Sequence, residues 1–155
     1  MVNRHRTIVL IVLAVVFFAL AYSIGIPSRG EPETPRGDLP LDVEELEPPV
    51  VAKLLEDNRI QLLDARTEAE IDESSIPGAI WIPLADMQSR TPTVDSFPEL
   101  EHAVPVVVYC RSGVRSLTAA RLLRQAGFER SYSLTGGIRA WEESGYPLYF
   151  GERPD

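Results

Sequence analysis

The residues best suited to do chemistry lie in one short stretch, Cys110-Arg111-Ser112-Gly113-Val114-Arg115-Ser116. Cys110 is the single cysteine in 155 residues. It follows the apolar run Val104-Pro105-Val106-Val107-Val108-Tyr109 and precedes a segment, Leu117 to Gln125, with helical spacing. A strand that ends in cysteine, turns through a short loop and enters a helix aims the sulfur at backbone N–H groups and at the positive end of a helix dipole. Both favour the thiolate, the nucleophilic form. Gly113 gives the loop dihedrals that other residues resist, so five or six successive N–H groups from Cys110 through Arg115 can turn inward around an anion. Arg111 and Arg115 add positive charge. The pattern predicts a nucleophile for anionic, sulfur-bearing or phosphate-like substrates. Arg115 is expected to face the site, whereas Arg111 reads equally well as a solvated surface charge.

Such a loop needs a sheet behind it. Ile60 to Asp64 reads as a short buried strand, Ala79 to Ile82 as a second, Val104 to Tyr109 as a central strand apolar on both faces, and Ser131 to Leu134 as another. Between them, Val43 to Asp57 has helical spacing, with Pro48-Pro49 forcing a short turn before a helix from about Pro49. Thr67 to Ile71 is a brief helix in which Thr67 and Glu70 have capping-box spacing. Ser116 to Ala126 is an amphipathic helix closed by Gly127, and Gly136 to Ser144 is the last helix. No element is assigned between Ile82 and Val104. Alternation of this kind predicts an α/β fold with a largely parallel sheet. Ligands in such sheets bind beyond the carboxyl ends of the strands, and Cys110 lies at such an end.

Four stretches also carry a family resemblance, in one order along the chain. Leu62-Leu63-Asp64-Ala65-Arg66 with Glu70, Ile76-Pro77-Gly78-Ala79-Ile80, the Cys110 loop, and Leu134-Thr135-Gly136-Gly137-Ile138 with Trp141 together resemble the rhodanese (sulfurtransferase) domain over roughly residues 41–150. The resemblance implies a three-layer α/β/α fold. It implies a Cys110 persulfide, with Arg111, Ser112, Gly113, Val114, Arg115 and Ser116 as the loop that binds substrate, and no cofactor. It also implies that Asp64, Arg66 and Glu70 support the fold, Asp64 capping or pairing near the loop and Arg66 bonding to Glu70. This chain has Ser74-Ser75 where the family commonly has Gly-His, and Ile71 where an aromatic often stands. Ser112 replaces the lysine often present in members that prefer thiosulfate, which leaves the donor open.

Cysteine phosphatases and related arsenate reductases place a thiolate in a similar loop, with five residues between cysteine and arginine. Here four residues, Arg111 to Val114, separate Cys110 from Arg115. The shorter loop suits a sulfur atom better than a phosphoryl group, and no upstream aspartate is placed as a general acid.

Other residues have plainer readings. Trp141 is expected in the core, and Gly136-Gly137 as a turn onto the last helix rather than a phosphate loop. One cysteine, with His5 and His102 far apart, cannot supply a tetrahedral zinc set. A net charge of −8, with acidic residues spread along the domain, argues against nucleic acid binding.

The N-terminus differs in kind. Arg4, His5 and Arg6 close a basic flank, residues 1–6, and Thr7 to Ile26 is uncharged. Twenty helical residues reach about 30 Å, the hydrocarbon thickness of a bilayer, so residues 7–26 are expected to form a transmembrane signal-anchor. The same stretch fits a signal peptide cleaved near Ala21. Either way the basic flank stays in the cytoplasm and the domain faces the extracytoplasmic side. Residues 27–40, with Pro27, Pro32, Pro35 and Pro40, read as a tether, and 151–155 as a tail.

Three functions fit these features. One is a membrane-tethered sulfurtransferase moving sulfur from an anionic donor such as thiosulfate to cyanide or a thiol. The second is a persulfide or thiol relay between protein partners. The third is a rhodanese-like binding module without catalysis.

Overall fold

The computed structural model describes residues 42–151. The basic flank at 1–6, the apolar run expected to span a membrane at 7–26, the 27–40 tether and residues 152–155 lie outside the described residues. Among the described residues no helix is long and apolar enough to cross a membrane.

Five parallel strands form one sheet in the order β1-β5-β4-β2-β3. They are β1 (Glu45–Leu46), β2 (Gln61–Asp64), β3 (Ile80–Trp81), β4 (Val106–Tyr109) and β5 (Ser131–Leu134). The helices are α1 (Pro48–Glu56), α2 (Glu68–Glu73), α3 (Leu84–Ser89), α4 (Val114–Gln125) and α5 (Gly137–Glu143), with a 3-10 turn at Val94–Ser96. β4 is central, paired with β2 from Gln61↔Val106 to Asp64↔Tyr109 and with β5 from Val106↔Ser131 to Val108↔Ser133.

Side-chain alternation along the strands builds two cores, one on each face of the sheet. Leu63, Val106 and Val108 point to one face, where Met87 of α3, Ala119, Ala120 and Leu123 of α4, Phe97 and Phe128 cover them. Leu62, Val107, Tyr109 and Leu134 point to the other, under Val51 and Ala52 of α1 and Ile138 and Trp141 of α5. The result is the expected three-layer α/β/α sandwich, with Trp141 buried as expected.

Two elements depart from the sequence reading. Glu45–Leu46 is an edge strand rather than part of a helical stretch: Ser133 N–H donates to Glu44 O at 3.1 Å and Thr135 N–H to Leu46 O at 3.0 Å. The helix begins only at Pro48, where proline's preset φ suits the first turn and its missing N–H leaves no bond unmade. The stretch from Leu84 to Ser96, which carries no strong periodicity, holds α3 and the 3-10 turn because Met87 and Phe97 are buried against α4 and β4.

All five strands run the same way, so the segments after β2, β4 and β5 emerge at one edge of the sheet. Cys110 follows β4 there, Ala65 to Thr67 follow β2, and Thr135-Gly136 follow β5.

Candidate active site

Cys110 is fully buried, one residue beyond the end of β4. The chain then turns back through Gly113, at φ 95°, into the first turn of α4. Gly113 N–H donates to Cys110 Sγ at 3.2 Å. The Cys110 thiol faces Ser116 Oγ at 3.7 Å. Burial works against a charged sulfur, but the Ser116 hydroxyl and the N–H groups of Ser116, Ser112 and Gly113 outweigh it and hold the thiol below the ordinary cysteine range. The N–H groups placed on the sulfur thus come from the third, fourth and seventh residues of the loop.

The rest of the loop divides by exposure. Arg111 and Ser112 are exposed, and Val114 is 72% exposed at the mouth. Ser116 is buried beneath the sulfur.

Arg115 lies near the Cys110 sulfur, but it is not a free cation. Its guanidinium forms a two-bond fork to the Glu70 carboxylate, Nη1 to Oε2 at 2.7 Å and Nη2 to Oε1 at 2.6 Å. The hydrogen bonds to Glu70 chiefly raise the Arg115 pKa, with a smaller contribution from the nearby Cys110 sulfur. Glu70 in turn is lowered to about 2, first by Arg115 and also by Thr67. Thr67 N–H and Thr67 hydroxyl both donate to Glu70 Oε2, at 3.1 and 3.0 Å. One carboxylate therefore ties the start of α2 to the start of α4.

Arg66 does bond to Glu70, but at its main-chain carbonyl, since the carboxylate is taken by Arg115. Arg66 is saturated: Nε and Nη2 engage the Asp64 carboxylate at 3.0 and 2.7 Å, while Nη1 and Nη2 donate to the main-chain carbonyls of Glu70 and Ser74 at 3.0 and 2.6 Å. Those carbonyls sit at the end of α2, where helices leave acceptors unmatched. Burial opposes the Arg66 charge, and the bonded Asp64 outweighs it. Tyr109 joins this cluster, its hydroxyl accepting from Ile76 N–H at 3.1 Å. Burial foremost, then the Asp64 charge, pushes the Tyr109 phenol far up, so it stays neutral. Asp64 and Arg66 thus fasten the segment just before Cys110 to the α2–β3 connection.

The third wall was not foreseen in its role. The first N–H groups of α5 support the loop's own carbonyls: Ile138 N–H donates to Cys110 O at 2.8 Å and Arg139 N–H to Arg111 O at 3.4 Å. Gly137 makes this approach possible. Its place in the sequence, beside Gly136 after a strand, signals a tight turn, but not what the turn packs against.

A family model described as "Rhodanese-like domain" matches residues 47–144, more than half of the chain. The chain belongs to this family. The rhodanese-like domain is 38% identical over 96 residues to a sulfurtransferase of Allochromatium vinosum, covering 62% of this chain and 84% of that protein. Over a shorter span of 50 residues, 32% of this chain and 46% of the relative, it is 44% identical to the thiosulfate sulfurtransferase GlpE of Actinobacillus pleuropneumoniae. Among solved structures, a rhodanese-related protein of Thermoplasma volcanium superposes with a TM-score of 0.59 at 26% identity, covering 68% of this chain and 97% of that one. Among the described residues of the domain, no group of His, Cys, Asp and Glu side chains is placed to hold a metal ion.

Proposed function

We propose that this rhodanese-like domain is a sulfurtransferase in which Cys110 carries the sulfur. The single observation that supports this most directly is the buried Cys110 sulfur, at the carboxyl end of the central strand, with Gly113 N–H on it at 3.2 Å. The Cys110 thiolate attacks the outer, sulfane sulfur of thiosulfate. A new S–S bond forms, the S–S bond of the donor breaks, and its electron pair leaves on sulfite. The product is a Cys110 persulfide anion, whose charge the same loop N–H groups stabilise. Cyanide or a thiolate acceptor then takes the terminal sulfur, and the bonding pair returns to Cys110. No proton or electron has to be supplied from outside.

Arg111, exposed at the mouth, would attract the anionic donor, while Arg115, held by Glu70, would stabilise charge at the sulfur. Ser112, Val114 and Ser116 would shape the pocket with Gly113. Thiosulfate is the donor favoured by the similarity to GlpE. The run at 7–26 behind Arg4 and Arg6 favours a domain anchored on the extracytoplasmic side of a membrane, which a C-terminal reporter active only outside the cytoplasm would test.

The deciding experiment is thiocyanate formation from thiosulfate and cyanide by the full-length chain, beside Cys110→Ser. Turnover and a mass gain of about 32 Da on donor treatment, both absent in C110S, support the reading. A mass gain without turnover points to a relay that hands sulfur to another protein. Neither signal would sink Cys110 as a sulfur carrier from this donor.

A further inference from the structure

A chain of hydroxyls runs from Cys110 into the sheet. Ser116 Oγ, in the first turn of α4, lies 2.8 Å from Gly113 O, 2.9 Å from Ser133 Oγ and 3.7 Å from Cys110 Sγ. Cys110, Ser116 and Ser133 are all fully buried. Ser133 belongs to β5, level with Val108 of β4, and alternates with Tyr132 and Leu134, which pack on the opposite face. Its backbone N–H is committed to Glu44 O, so its hydroxyl is what it brings to the site.

Hydrogen-bond bookkeeping assigns the donors. A serine hydroxyl has one proton and two lone pairs. With the thiol protonated, the Ser116 proton goes to Gly113 O and the thiol donates to Ser116 Oγ. The bond between the two serines must then be donated by Ser133. When Cys110 loses its proton, sulfur becomes an acceptor only. The charged sulfur is a stronger acceptor than a carbonyl, and the Ser116 proton has to turn to it. A Ser133 proton resting on Ser116 Oγ favours that turn, because a hydroxyl that accepts a bond is a better donor.

We infer that Ser133 is a positioning residue for sulfur transfer: its hydroxyl, donating to Ser116 Oγ, directs the Ser116 proton onto the Cys110 sulfur in the thiolate and persulfide. The inference rests on the proposed role of Cys110 as sulfur carrier. A serine buried only to fill space would leave the sulfur's titration unchanged when its hydroxyl is removed.

Because Cys110 is the chain's single thiol, its ionisation can be read without interference, by the pH dependence of iodoacetamide alkylation of the full-length protein. The charged groups facing the sulfur are Arg115 of α4 and, paired with it, Glu70 of α2. Both are retained in every variant, so differences report the hydroxyls. Ser133→Ala is expected to raise the apparent thiol pKa by about 0.5–1 unit, the size of one neutral hydrogen bond, and Ser133→Thr to restore it. In a Ser116→Ala background, Ser133→Ala is expected to add nothing further. Should S133A melt early, Ser133→Val, the shape of the rescuing threonine without its hydroxyl, takes its place. An unchanged titration in S133A or S133V overturns the inference, as does an equal shift in the S116A background. Thiocyanate turnover of the same samples separates the two ideas: a shifted titration in S133A beside a wild type that makes no thiocyanate keeps Ser133 on the sulfur while removing the transfer reaction.

Discussion

Gly137 lies so close to the main chain of Cys110 that no side chain can come between them. A Cβ on Gly137 would fall inside van der Waals contact with Cys110 O and 2.8 Å from both Arg111 C and Ser112 N. All three are backbone atoms of the loop and cannot swing aside. The next residue, Ile138, donates its N–H to the same Cys110 carbonyl, so α5 braces from below the loop whose N–H groups face the sulfur above.

Gly137→Ala is therefore expected to displace the loop. The new methyl meets backbone, and φ at 63° disfavours any side chain. Loss of about 2–4 kcal/mol in urea denaturation is expected, the sum of a strained dihedral and overpacking. Alkylation of Cys110 should also slow at neutral pH. Gly145→Ala is the matched control, with φ at 77° but nothing within 4 Å of the added carbon. It should cost only about 1–2 kcal/mol and leave Cys110 reactivity intact.

The fork between Glu70 and Arg115 predicts an acid-sensitive step in stability. Glu70 is depressed to about 2, first by Arg115. A depressed carboxylate contributes stability above its unfolded pKa and loses it as pH falls. The contribution should be complete above about pH 5 and fade toward pH 2. Glu70→Gln should abolish this dependence, costing about 1–2 kcal/mol at pH 7 once screening is allowed for. Urea midpoints from pH 7 down to 3 measure it. A pH slope in E70Q equal to that of wild type would show that other carboxylates carry the effect.

Asp64 and Arg66 should behave as a buried pair whose partners depend on each other. Asp64→Asn leaves a buried guanidinium with half its compensation, and a loss of about 3–5 kcal/mol is expected by urea denaturation. The double variant Asp64→Leu with Arg66→Met should recover part of this. It cannot recover all of it, because the Glu70 and Ser74 carbonyls lose their donor.

Arg111 gives the opposite profile. It is exposed, so Arg111→Ala should leave the melting temperature unchanged while raising KM for thiosulfate by about 1.5- to fivefold, the range of one exposed charge interaction. The difference should shrink as salt is added. A fall in kcat at unchanged KM would instead place Arg111 in the transfer step.

Much of the fold was legible locally. A strand flanked on both faces by helices must be apolar on both faces, and Val106-Val107-Val108 announces that. Gly113 and Gly127 mark the two ends of α4 by the dihedrals they permit. The edge strand Glu45–Leu46 was not legible, since two residues carry no period and their pairing partner lies almost ninety positions away.

The candidate site follows the same division. What the sequence by itself determined was the candidate nucleophile, its place between strand and helix, and the Thr67–Glu70 bonds at the start of α2, all matters of residues within a few positions of each other. Only the tertiary structure decided that the Glu70 carboxylate turns to Arg115 while Arg66 takes the Glu70 carbonyl, that Gly137 underlies Cys110, and that Ser133 reaches Ser116. These contacts join separate elements, and their partners are selected by which donors and acceptors packing leaves unmatched once the parallel sheet has brought its carboxyl ends together.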